Sequence, residues 1–141
     1  MYESPLQTMV ADGEVILRNL SDASRNLEMA IEQKFTAARR LSEIESTYKE
    51  IEAEYLAEML FDEAGPMKQA KNAEQRAIIQ DATLVKARTS GQLAPAWKML
   101  NRARSEAQAA QMAYEQMEVR FRGTRLASEL RAAILLTFAK G

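Results

Sequence analysis

The sequence contains no cysteine and no histidine. The first absence excludes a disulfide framework, thiolate metal sites and a cysteine nucleophile. The second removes the commonest general base and the commonest metal ligand. Proline and glycine are scarce, three and five among 141 residues, too few for the many turns of an all-β fold. Aromatic residues are few as well: one Trp, four Tyr and four Phe stand beside eight Met, a composition suited to a soft, aliphatic interior. No apolar run approaches the ~20 residues of a membrane-spanning helix; the longest extends from Ala132 to Ala139. Met1 to Val15 lacks the basic-then-apolar order of a secretory signal. These absences lead us to expect a soluble, intracellular protein of the cytoplasm, without metal, cofactor or membrane contact.

What is present is helical periodicity. Ser21 to Phe61 has neither Gly nor Pro, and Leu20, Leu27, Leu41, Ile44, Tyr48, Ile51 and Tyr55 fall on three-and-four spacing. Leu41, Ile44, Tyr48, Ile51 and Tyr55 form a heptad seam, with Ala23, Ala30 and Ala37 on earlier seam positions and Lys34 as a polar interruption that fixes register. A long helix is predicted over about 14–62. Asn72 followed by Gln75 reads as a capping box and opens a middle helix over about 72–89. Pro95 suits the first turn of a third helix, over about 95–138, whose seam continues through Leu100, Ala103, Ala107, Ala110, Tyr114, Met117 and Phe121. After Gly123 the apolar stripe is read as shifting to Leu126, Leu130, Ile134 and Phe138.

The fold class predicted is therefore all-α: an elongated helical hairpin, or coiled-coil-like bundle, of two long helices with a shorter one between, as a single domain over residues 1–141. Ser21 to Phe61 alone gives roughly 60 Å of helix at about 1.5 Å per residue. A compact ball of this chain length is only ~37 Å across. Two paired helices cover one seam each, so further copies of the chain are expected to cover the remaining apolar surface. The oligomer or core seam is assigned to Leu41, Ile44, Tyr48, Ile51, Tyr55, Leu100, Tyr114, Met117 and Phe121.

Charge is segregated along the chain. Residues 1–70 hold 14 Asp/Glu and 7 Lys/Arg, whereas residues 71–141 hold 6 and 12, within a formal net charge of −1. The basic residues gather at three places: Lys68, Lys71 and Arg76; Lys86, Arg88, Lys98, Arg102 and Arg104 with Trp97 among them; and Arg120, Arg122, Arg125 and Arg131 around Gly123. Such a pattern serves either of two ends. Lysines, arginines and one aromatic hold single-stranded nucleic acid through phosphate contacts and base stacking. Alternatively the basic third helix neutralises the acidic first one while Trp97 fills a packing contact.

Catalytic patterns are missing. Glu43, Glu50, Glu54 and Glu58 share helix faces, but bundle di-metal sites require Glu-x-x-His repeats, and there is no histidine. There is no Gly-rich phosphate loop, and no Ser or Thr has an evident activating base. A non-enzymatic protein is expected.

The plan of a long first helix ending near Phe61, the Lys71-Asn72-Ala73-Glu74 segment, an aromatic near the start of the last helix at Trp97 and the Arg122-Gly123 step resembles the UvsY-like recombination mediators of phages. That resemblance implies an oligomeric, all-helical protein that binds single-stranded DNA. It also implies partners, a RecA-like recombinase and the single-strand binding protein that it displaces. Family members carry basic residues near the end of the long helix, where this chain has Tyr55-Leu56-Ala57-Glu58. Any DNA contact here is therefore expected from the middle and C-terminal basic groups. The rival expectation is a helical structural or interaction protein, an assembly factor or an inhibitor of a host complex, that binds no nucleic acid.

Overall fold

A computed structural model of the chain describes residues 4–62 and 65–140. Three α-helices and one short 3-10 turn account for nearly all of them, and no strand occurs among the described residues: α1 Pro5–Phe61, the turn Pro66–Gln69, α2 Ala73–Ser90 and α3 Ala94–Lys140.

The helix ends follow local chemistry. The first helix begins at Pro5 rather than near residue 14 because Ser4 and Gln7 form a reciprocal capping box. The Gln7 N–H donates to Ser4 Oγ at 3.2 Å and the Ser4 N–H donates to Gln7 Oε1 at 3.1 Å, with Pro5 at the first helical position, where no N–H is needed. Asn72 caps α2 in the same way, accepting from the Gln75 N–H at 2.8 Å. Gln75 Oε1 reaches back one residue further, to the Lys71 N–H at 2.8 Å. The second helix ends at Gly91, where an added Cβ would stand 2.8 Å from Ala87 Cα. Glycine is needed there for close approach of backbone to backbone.

Two compact units make up the chain: one of Met1–Thr36 with Gln108–Gly141, the other of Ala37–Ala107. In the Ala37–Ala107 unit, parts of α1, α2 and α3 enclose a core. Leu84, Ala87 and Leu93 are its centre, Tyr55 and Leu56 pack against them, and Tyr48, Met59, Met67, Leu100 and Ala103 are buried as well. Leu41, Ile44 and Tyr55 take their seam positions half-buried. Ile51 lies at the seam's edge, beside Ile44, Tyr48 and Ala96 and 37% exposed, and its neighbour Glu52 turns inward to meet Arg88.

In the other unit α1 and α3 run antiparallel, with Asp12 against Arg131 and Lys34 over the Tyr114 ring, 4.4 Å from its centroid. Only Ala30 is fully buried among its described residues. Tyr114, Met117 and Phe121 lie half-buried on the seam. Beyond them the stripe does not shift at Gly123. The heptad phase continues through Thr124, Ser128, Arg131 and Leu135, which are half-buried, while Leu126, Leu130 and Phe138 face outward and Ile134 lies at the edge, 38% exposed. A helical glycine breaks no phase, because without a bulge or an inserted residue the 3.5-residue seam passes straight through it.

Candidate functional site

The densest polar cluster lies in the Ala37–Ala107 unit and centres on Arg88. This side chain leaves α2 to meet α1. Its Nε–H donates to the Tyr48 hydroxyl at 2.7 Å and its Nη2 to Glu52 Oε2 at 3.0 Å. Its guanidinium lies over the Trp97 ring of α3, 4.4 Å from the centroid, within reach of a cation–π attraction. Trp97 also packs against Tyr48 with ring centroids 5.4 Å apart and planes tilted by 50°. Arg104 stands 5.6 Å from the same indole and makes a loose ion pair with Glu45 at 3.9 Å. Together these groups line an open cleft that also includes Lys49 and Leu100.

The electrostatics follow from the burial. Desolvation penalises the Arg88 cation, but the bonds to Glu52 and Tyr48 outweigh it, so its pKa rises and it stays charged. Burial is also the main reason that the Tyr48 hydroxyl titrates above its ordinary 10.0, with the Glu52 carboxylate adding to the rise and Arg88 opposing it. In the other unit, a hydrogen bond with Glu118 raises the Tyr114 hydroxyl.

The residues expected to hold nucleic acid divide into two groups. Arg88, Trp97 and Arg104 come together in the cleft, yet each is engaged within the chain. A base seeking the Trp97 ring would compete with Arg88 and Tyr48. Arg122 donates to Glu118 on its own helix, and Arg125 to Glu129 at 3.2 Å. Lys68, Lys71, Arg76, Lys86, Lys98, Arg102 and Arg120 are exposed and make no ion pair among the described residues. Most of this second group lies in the Ala37–Ala107 unit, Lys68 on the 3-10 turn and Lys98 and Arg102 four apart on one face of α3.

Folding also redistributes the segregated charge. Because α1 and α3 meet within each unit, the Ala37–Ala107 unit holds 11 Lys/Arg and 11 Asp/Glu, and the other holds 8 and 9. Pairs between elements express this mixing: Arg40 with Glu106 at 3.6 Å, Arg104 with Glu45, Arg88 with Glu52 and Arg131 with Asp12 at 2.7 Å.

Reading the chain as a string missed Glu52 and Glu45 as partners of the arginines. A signal was there, since they sit seven apart on the edge of the α1 seam. No group of three or more acidic residues among those described is arranged to hold a metal ion, and none of their helices is long and apolar enough to cross a membrane. No protein-family model, no curated protein and no solved structure matches this chain.

Proposed function

We propose that this is a non-enzymatic helical interaction protein that works as an assembly of its own copies and offers helical faces to other proteins. One observation carries the reading: large apolar side chains stand exposed along the unit that has almost no core. Among them are Val10, Leu17, Phe35, Val119, Leu126, Leu130 and Phe138. Exposed apolar patches on a soluble chain mark the places where it meets another protein. The mixing of acidic and basic residues within each unit supports the same reading, since it leaves neither unit strongly basic. Sedimentation equilibrium tests it: an assembled species is expected without any nucleic acid, and a monomer at all accessible concentrations would refute it.

The exposed cations that make no ion pair among the described residues favour a second reading, the DNA-binding mediator that the resemblance implies. Lys68, Lys71, Arg76, Lys86, Lys98 and Arg102, repeated around an oligomer, would bind single-stranded DNA by avidity, and the recombinase partner would follow from that activity. Binding that engages about six phosphates implies a log–log salt slope near −4. Replacing Lys98 and Arg102 by Glu should then abolish binding without changing the oligomer mass. An absence of binding at low ionic strength leaves the protein-assembly reading alone.

A further inference from the structure

The third helix carries a second heptad seam on the side away from α1. Met112, Val119 and Leu126 recur every seven residues, and Gln116, Gly123 and Leu130 interleave with them at three-and-four spacing. All of these are exposed; Val119, Leu126 and Leu130 are about two-thirds so, at 68%, 65% and 65%. A helix with seams on two opposite faces needs a neighbour on each, and among the described residues of this unit only α1 lies beside it.

Gly123 points the same way. Glycine inside a helix costs stability relative to alanine. No contact among the described residues requires it, because an added Cβ would find nothing within 4 Å. Placed on the second seam, it lets another helix approach closely.

We propose that this seam pairs antiparallel with the same seam of a second copy of the chain, about a two-fold axis near Thr124 and Arg125. The proposal rests on the assembly reading and names the surface that reading requires. Charge selects the register. With this axis, Leu126 of each copy covers Gly123 of the other and Leu130 meets Val119. Arg122 then faces Glu129 twice along one edge of the contact, where flanking charges pair in antiparallel coiled coils. Sliding the pair by one heptad, so that Gly123 meets Val119, sets Arg122 against Arg122 and Glu115 against Glu129. The intrahelical bonds of Arg122 to Glu118 and Arg125 to Glu129 are exposed and weak, so they do not hold these groups back. The interface is isologous, as most homodimer contacts are.

The test combines association and cross-linking in a chain that has no native cysteine. Leu126→Glu places a charge in the contact and is expected to weaken association by about a hundredfold, with helix content by circular dichroism unchanged. Arg122→Glu weakens it by about tenfold, and Arg122→Glu combined with Glu129→Arg restores it. When Gly123→Cys and Leu126→Cys chains are mixed and oxidised, the mixed disulfide dimer should exceed both like-with-like dimers. A protein that assembles normally as Leu126→Glu, with no preference for the mixed disulfide, overturns this interface and leaves the assembly reading standing. A wild-type chain that never associates overturns both.

Discussion

The Ala37–Ala107 unit and the unit built from the two chain ends use the same heptad grammar on the same two helices, yet they differ in what they bury. Among the described residues, Tyr48, Met59, Met67, Leu84, Ala87, Leu93, Leu100 and Ala103 are buried in the first and only Ala30 in the second. The difference is α2. A third helix converts a single seam into an enclosed core, whereas two helices cover one stripe each and leave the rest to solvent or to a partner. Heptad spacing thus specifies which helices pair, but a core requires a third layer.

The comparison can be broken or sharpened by substitution. The largest effect is expected from Leu93→Ala, since Leu93 is only 1% exposed. Losing its side chain should cost about 3 kcal/mol in urea unfolding, whereas Leu126→Ala at low protein concentration should cost almost nothing. Equal costs would erase the distinction between the units. Next come the two glycines. Gly91→Ala forces a Cβ against Ala87 Cα and should destabilise by about 2 kcal/mol, while Gly123→Ala should stabilise the dissociated chain by up to ~1 kcal/mol. Thermal melts of the two variants check the opposite signs.

Two smaller effects concern the buried polar groups. Arg131 occupies a seam position with its Nε buried and, among the described residues, without a hydrogen-bond partner. Arg131→Leu is therefore expected to hold or raise stability, by roughly 1 kcal/mol, at the expense of antiparallel register; a marked loss of stability would show that the Asp12 pair matters more than the packing. The Tyr48 hydroxyl has a folded-state pKa above its ordinary 10.0. It contributes stability that is fully present below about pH 10 and is lost as the pH rises through the higher folded value, because the unfolded chain releases that proton first. The alkaline decline in wild-type stability should be shallower in Tyr48→Phe, as read by denaturant midpoints from neutral to alkaline pH.

Much of this was legible in the residues. The long seam of α1, the Asn72–Gln75 cap and the α3 seam through Phe121 were readable because each rests on spacing or a local hydrogen bond. The Ser4–Gln7 box carries the same local signal as Asn72–Gln75, yet the predicted start near residue 14 leaves it out. The error after Gly123 had a different cause. Leu126, Leu130, Ile134 and Phe138 outweigh Thr124, Ser128 and Arg131 in hydrophobicity, so composition suggested a shift where helical phase kept the polar residues inside. The Arg88 cluster was only half legible. Its aromatic and cationic members stood out, but Glu52 belongs to an element some forty residues away, and which acid meets which base depends on tertiary pairing.

The central claim is that one unit stands on its own core and the other depends on a second copy. Amide hydrogen exchange followed across protein concentration tests it most directly. Protection in α2 and the segments packed on it should be independent of concentration, while protection along residues 108–140 should rise as copies associate. Equal, concentration-independent protection of both regions in a dilute monomer would contradict the account.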